Sequence, residues 1–151
     1  MQISEEGDNF FRYLDLPTIP KKYLLYTIEE IESQENIFQH ATYSYYKQYK
    51  VFDKELLNLL EDVFLTKLLI TYQVIRNGIA IHKDVGRTEA TNFVIHPGGD
   101  NVITEVYSSN LGKKYVSECI QPYKWHWLNV SMPHTVKNIT DTRLSISVER
   151  I

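Results

Sequence analysis

The sequence predicts an α+β protein that is mainly β, with its strands folded into a double-sheet roll or a small barrel. Eight short segments of β character follow residue 66, separated by turn residues, and the helical patterns all come before them. The chain has 151 residues, of which 43% are hydrophobic, enough for one compact core. We therefore expect a single domain over 1–151, in which 1–66 support a β core at 67–151.

The N-terminal part is expected to supply an arm, a short helix and an edge strand. Residues 1–22 contain two of the five prolines and no sustained periodicity, which predicts a packed arm and not a free helix. The short helix is expected at 23–34 and the edge strand at 42–52.

The clearest helical pattern covers 53–64. Asp53 is a residue type that caps helix N-termini. The apolar positions share one helical face: Leu56, Leu57, Leu60, Val63 and Phe64. This helix must lie against an apolar surface.

The eight strands are expected at 67–76, 79–84, 90–96, 101–107, 114–121, 125–130, 134–138 and 142–149. "HPGGDN", after the third strand, contains paired glycines that permit positive φ, so it predicts a hairpin. A second hairpin is expected where 139–142 connect the last two strands.

In that second hairpin, one face is mostly polar and contains His134, Val136, Asn138, Arg143, Ser145 and Ser147. The other face of the last strand is apolar and contains Leu144, Ile146 and Val148. Two interpretations remain open. The polar face either meets water, as in an ordinary surface strand, or lines the inside of a roll while the apolar face packs under the helix at 53–64.

A His-x-Asp pattern ends the second strand, in "IAIHKDVGR". His82 and Asp84 are two residues apart in an extended chain, so their side chains share a face and can converge on a metal ion. The alternative is that His82 satisfies a buried hydrogen bond and Asp84 opens a turn before Gly86. Together with His134, the pattern matches the two-histidine, one-carboxylate arrangement that binds Fe(II) and leaves positions open. Arg143, on the last strand, can bind a carboxylate through two parallel hydrogen bonds.

These motifs resemble the 2-oxoglutarate- and Fe(II)-dependent oxygenases, in particular the small prolyl-hydroxylase-like members of bacteria and phages. The matching residues are "HKD" at 82–84, "PHTVKN" at 133–138 and "RLS" at 143–145. The resemblance covers about residues 67–151. It implies a double-stranded β-helix of the jelly-roll or cupin type, with the N-terminal helices packed on one sheet.

The resemblance also implies residue roles and an activity. His82, Asp84 and His134 would bind Fe(II), and Arg143, with Ser145 behind it, would hold the distal carboxylate of the cosubstrate 2-oxoglutarate. The expected reaction uses O₂ to hydroxylate a C–H bond of a second substrate while 2-oxoglutarate is decarboxylated to succinate. The second substrate is expected to be a peptidyl residue such as proline, or a free amino acid.

Three further polar residues lie near these motifs. Asn92 and His96 share a face of the strand at 90–96, from which the family often draws a cosubstrate contact. The alternatives are a buried polar residue of the core and a histidine that enters the turn before Pro97. His126 is interpreted as structural, because the metal triad is already complete without it.

Composition argues against several classes of partner. The net charge is −3, the isoelectric point is about 5.9, and Lys/Arg runs do not exceed pairs, so duplex nucleic acid is not an expected partner. The longest apolar stretch is interrupted by Lys67 and is too short for a membrane span. One cysteine and an acidic N-terminus predict a cytoplasmic protein without a signal peptide.

Two rival functions stay open on the sequence. The first is a non-catalytic, cupin-like binding module that uses the mouth of the roll for a partner. The second is a zinc-dependent hydrolase, for which the ligands are suitable but no general base is evident beside His82 and Asp84.

Overall fold

The computed structural model describes residues 9–33, 46–84, 86–108 and 112–151. The strands are β1 (Phe11–Tyr13), β2 (Tyr46–Lys50), β3 (Leu68–Ile75), β4 (Ile79–His82), β5 (Glu89–His96), β6 (Ile103–Tyr107), β7 (Lys114–Glu118), β8 (Trp125–Asn129), β9 (His134–Lys137) and β10 (Arg143–Arg150). The helices are α1 (Ile28–Glu32) and α2 (Lys54–Phe64), and a 3-10 turn covers Lys21–Tyr23. No helix among these residues is long and apolar enough to cross a lipid bilayer.

The strands form two antiparallel sheets that face each other. The order in the six-stranded sheet is β1-β8-β5-β10-β3-β2, and the order in the four-stranded sheet is β4-β9-β6-β7. This is a jelly-roll architecture, so the prediction of a mainly β double-stranded β-helix is confirmed. Each of the eight strands predicted after residue 66 is present, with ends that differ by at most three residues from those predicted.

Helix α2 covers the outer face of the six-stranded sheet. The Asp53 side chain accepts hydrogen bonds from two backbone N–H groups of the first turn, at 3.0 and 3.2 Å, and so caps the helix as predicted. Leu56 and Leu60 are buried in one apolar core with the outward side chains of β10, namely Leu144, Ile146 and Val148. The predicted packing of this helix on the last strand is therefore confirmed.

A second apolar core lies between the two sheets. It contains Phe11, Ala90, Val94, Val106, Val116, Ile120, Leu128 and Val130. Because both sheets contribute to it, this core fixes their separation and leaves a cavity beside it.

The predicted hairpin between the last two strands is wrong. Strand β9 pairs with β4 and β6, whereas β10 pairs with β3 and β5 in the other sheet. The connection therefore crosses between sheets, and it is held by hydrogen bonds from the N–H groups of Thr140 and Asp141 to the Gly98 carbonyl, each 2.8 Å long. The polar faces of β9 and β10 still point inward, because the two sheets face each other.

The hairpin predicted at "HPGGDN" is wrong for the same reason. Strand β5 lies in the six-stranded sheet and β6 in the four-stranded sheet, so this segment is a second crossing. Gly98 and Gly99 adopt positive φ, +91° and +144°, as their pairing predicted. Turn residues indicate that the chain reverses, but they do not indicate which sheet the next strand joins.

The N-terminal elements depart from prediction in two ways. The arm contains β1, which pairs with β8. Helix α1 is shorter than 23–34, because Thr27 begins it with a capping box in which Thr27 and Glu30 each accept a hydrogen bond from the other's backbone N–H. Strand β2 lies at the edge of the six-stranded sheet, as predicted, while residues 42–45 of that prediction lie outside the described residues.

Candidate metal centre and ligand cavity

Three side chains meet where β4 ends and β9 begins. His82 and His134 are cross-strand partners, and Asp84 follows two residues after His82. Oδ1 of Asp84 lies 3.3 Å from Nε2 of His82 and 3.2 Å from Nε2 of His134. Ligands about 2.0–2.2 Å from one metal, in neighbouring positions, are roughly 3 Å apart. These three residues, called the triad below, are therefore spaced like ligands on one face of a metal ion.

Backbone carbonyls fix the tautomer of both histidines. Nδ1 of His82 lies 2.8 Å from the Ala80 carbonyl, and Nδ1 of His134 lies 2.8 Å from the Met132 carbonyl. A carbonyl only accepts, so Nδ1 donates, and the neutral imidazole keeps its lone pair on Nε2. Nε2 of each ring faces the same carboxylate oxygen. In a neutral ring Nε2 carries a lone pair that can bind a metal, and in a protonated ring it donates to the carboxylate.

Asp84 is held as a carboxylate. Burial raises the pKa of its carboxyl, but hydrogen bonds from His134 and His82 and the charge of Arg87 outweigh this and hold the pKa well below its usual range. Nε of Arg87 donates to Oδ2 of Asp84 at 2.6 Å, on the side away from the histidine contacts. The hydrogen bond with Asp84 raises the pKa of His82. The sequence analysis did not single out Arg87, although a basic residue three positions after the aspartate was the available signal.

The triad opens onto a cavity of about 520 Å³ between the two sheets. Arg143, Ser145 and Asn92 line the same cavity, from β10 and β5. His96 does not line it and is exposed, because the register between β5 and β10 shifts opposite Leu144 and Ser145 and breaks the alternation. Six of the seven candidate residues are therefore brought together, and His96 takes no part in the site proposed below.

Arg143 is a buried cation in this cavity. It is 5% exposed, and its Nη1 donates to the Pro97 carbonyl at 3.2 Å. Burial lowers the pKa of the guanidinium to about 10, so it remains positively charged at neutral pH. Among the described residues no carboxylate forms an ion pair with it. A buried charge without a counter-charge is costly, so the cavity is suited to an anion.

The inner face of the six-stranded sheet carries neutral polar side chains between two charged residues of β10 that line the cavity, Arg143 and Glu149. Ser145, Gln73 and Gln48 lie side by side on β10, β3 and β2. One row further along the strands are His126, Asn92, Ser147 and Thr71, from β8, β5, β10 and β3. All seven line the cavity, which therefore offers a floor of neutral hydrogen-bonding groups.

His126, interpreted from the sequence as structural, is buried at the edge of the cavity. It is 2% exposed and lines the cavity, and its Nδ1 has no hydrogen-bond partner within the described part of the chain. Burial, and then the positive charge of Arg143, lower the pKa of His126 to about 3. In the sequence, alternation along 125–130 puts His126 on the same face of the strand as Leu128 and Val130.

Comparisons with known proteins bear on the fold. No protein-family model and no curated protein matches this chain. A solved prolyl hydroxylase of Trichoplax adhaerens, in complex with a peptide fragment of the hypoxia inducible factor oxygen degradation domain, superposes with a TM-score of 0.61. The two are 13% identical, over 93% of this chain and 82% of that one. At this identity the similarity supports the jelly-roll fold alone.

Two other solved structures align with lower scores. Oxalate decarboxylase of Bacillus subtilis gives a TM-score of 0.48 at 13% identity, over 80% of this chain and 29% of that one. An oxidoreductase of the 2OG-Fe(II) oxygenase family, from Burkholderia pseudomallei, gives 0.45 at 12% identity, over 64% and 51%. This chain thus spans under a third of the first protein and about half of the second.

Proposed function

We propose that the protein is a 2-oxoglutarate- and Fe(II)-dependent oxygenase that hydroxylates a C–H bond of a second substrate. One observation carries the proposal. The same cavity contains a two-histidine, one-carboxylate triad and, on the facing sheet, a buried arginine without a carboxylate partner among the described residues. A metal ion would satisfy the triad and one carboxylate would satisfy the arginine, so a metal-chelating acid with a second carboxylate suits both.

The donor set of the triad suits Fe(II). His82 and His134 would bind through Nε2, and Asp84 through Oδ1, while Arg87 keeps Oδ2 of Asp84 occupied. Two neutral imidazoles and one hard carboxylate on one face leave the opposite positions open. When bound, the metal would supply O₂ activation, with 2-oxoglutarate oxidised to succinate and CO₂.

Arg143 would hold the distal carboxylate of 2-oxoglutarate. Its guanidinium can donate two parallel hydrogen bonds, and the hydroxyl of Ser145 faces the same cavity from two residues further along β10. Burial strengthens this contact, because a charge-assisted hydrogen bond is worth more where water is excluded. The arginine thus orients the cosubstrate toward the triad.

The second substrate we propose is a peptidyl residue such as proline, with a free amino acid as the alternative. The Trichoplax adhaerens prolyl hydroxylase, which shares the fold, was solved with a peptide fragment bound. A cavity of about 520 Å³ is in the size range of small-molecule sites, so it suits a cosubstrate and one side chain. We propose that the protein acts in the cytoplasm.

The proposal is tested by two measurements on the same protein. Binding of 2-oxoglutarate is measured with Mn(II) bound under anaerobic conditions. Formation of succinate from 2-oxoglutarate is then measured in air with Fe(II) and ascorbate, with proline-containing peptides and free amino acids added in turn. We expect binding in the wild type, and succinate above the level of His134→Ala.

Matched variants separate the two halves of the site. His134→Ala should lose metal binding and succinate formation, whereas Arg143→Ala should keep metal binding and lose 2-oxoglutarate binding. A wild-type protein that binds metal but neither binds nor consumes 2-oxoglutarate would refute the oxygenase and favour a non-catalytic binding module.

A further inference from the structure

Arg87 contacts the triad through one oxygen of Asp84. Its Nε donates to Oδ2 of Asp84 at 2.6 Å, whereas Oδ1 lies 3.3 and 3.2 Å from the Nε2 atoms of the two histidines. The side chains of Arg87 and Asp84 are only 20% and 15% exposed. The two oxygens of this carboxylate therefore have separate neighbours, and Oδ2 is held by a largely buried, charge-assisted hydrogen bond.

The turn between β4 and β5 holds Arg87 in this position. The N–H of Asp84 donates to the Val130 carbonyl at 2.9 Å, and the N–H of Val130 donates to the Thr88 carbonyl at 3.0 Å. Both ends of the turn are thus fixed to the residue that follows β8. Between them, Gly86 has a φ of +90°, which glycine adopts without a steric penalty. This φ lets the chain reverse within a few residues, so the arginine returns to the aspartate.

Stability alone does not explain an ion pair in this place. Both residues line the cavity, and the desolvation of two charges offsets much of their attraction. The pair does, however, restrict the carboxylate. A carboxylate can bind a metal through one oxygen or through both, and the second oxygen occupies a further coordination position. Turning Oδ2 toward the metal would stretch or break its bond to Arg87, because the turn fixes the arginine.

We propose that Arg87 is a positioning residue that limits Asp84 to one-oxygen coordination, and so keeps one more position of the metal open. This inference rests on the proposed function and adds to it a residue that acts on the metal through its ligand. Two imidazoles and one carboxylate oxygen leave three of six positions open. The 2-oxo acid group of the cosubstrate would take two of these, so the position that Arg87 keeps open is the one left for O₂.

The test counts the exchangeable water ligands on Mn(II) bound to the protein without cosubstrate, from the broadening of the Mn(II) EPR signal in ¹⁷O-enriched water. The wild type should show about three such waters and Arg87→Met about two, because the released carboxylate oxygen takes one position. Arg87→Met should also bind Mn(II) at least as tightly as the wild type, since a ligand oxygen is gained and a nearby positive charge is lost. Arg87→Lys keeps a cationic donor and should restore the lost water at least in part.

A second measurement separates this role from direct contact with the cosubstrate. Arg87→Met should still bind 2-oxoglutarate in calorimetric titrations of the Mn(II)-loaded protein. Succinate formation in air with Fe(II) should fall by about tenfold or more, through kcat and not through the KM for 2-oxoglutarate, because the position for O₂ is lost.

The control is Arg150→Met, which removes an exposed arginine of β10 outside the cavity and should match the wild type in every measurement. An unchanged water count in Arg87→Met would overturn the inference. If 2-oxoglutarate binding is then also weakened, Arg87 is a cosubstrate ligand instead.

If Arg87→Met does not fold or does not bind Mn(II), Arg87→Ala decides by the same criteria. Loss of Mn(II) binding in both variants would show that the arginine is needed for the site itself, and this too would overturn the inference. A wild-type protein that binds Mn(II) but not 2-oxoglutarate would refute the proposed function, whereas the water counts would still decide the role of Arg87.

Discussion

The buried neutral state of His126 predicts a loss of stability in acid. Its pKa is about 3 in the folded chain and 6.5 in the unfolded chain. Between these values the unfolded state binds a proton that the folded state does not, so stability falls as the pH drops below 6.5. With these two values, the linkage relation gives a loss of about 2 kcal/mol between about pH 7.5 and pH 5.

The assay is urea unfolding of the metal-free protein at the two pH values, in the presence of a chelator. In His126→Phe the titrating group is gone from both states, so the pH-dependent loss should be smaller than in the wild type by about 2 kcal/mol. The result does not depend on the absolute stability of the variant, because the free energy of unfolding at one pH is compared with that of the same protein at the other pH. The sign is opposite for His82, whose raised pKa stabilises the folded state in acid, and its contribution is the same in both proteins.

The matched control is Leu128→Ala, an inward position on the same strand without a titrating group. It should be less stable than the wild type by about 2–5 kcal/mol, by the same amount at both pH values. If His126→Phe loses as much stability on acidification as the wild type, the imidazole does not resist protonation in the folded chain.

Three other changes test separate parts of the structure. Asp84→Gly should abolish hydroxylation but keep some metal binding. In a Mn(II) titration it should bind more metal than His82→Ala does. If hydroxylation is undiminished, the Asp84 carboxylate serves only the turn. Arg143→Ala should weaken 2-oxoglutarate binding by at least about tenfold, and Arg143→Lys should restore part of it, because the planar fork is lost; unchanged calorimetric affinity would remove the cosubstrate assignment. Gly98→Ala should lower the free energy of unfolding by about 1–3 kcal/mol in urea, since φ is +91° and the new Cβ would meet Cβ of Arg143 at 3.0 Å; wild-type stability would show that the crossing relaxes.

Local patterns in the sequence were sufficient for α2, for the strands after residue 66 and for the fold class. The alternation of β10 separates Leu144, Ile146 and Val148 from Arg143, Ser145 and Ser147, and the structure confirms which set faces α2 and which set lines the cavity. The spacing of His82 and Asp84 puts both on one side of an extended chain for the same geometric reason. These inferences hold because side-chain direction in a strand depends only on neighbouring residues.

Strand pairing and the full composition of the cavity were decided by tertiary structure. The connections at 96–101 and 139–142 have the residues of hairpin turns, yet both cross between sheets, because pairing depends on packing between distant segments. A register shift then turns His96 out of the cavity, which a regular alternation could not reveal. The surroundings of His126 depend on the pairing of β8 with β5, and the role of Arg87 depends on its contact with Asp84. Sequence spacing determined which side chains could share a face, and only the closing of two sheets over one cavity determined which of them meet.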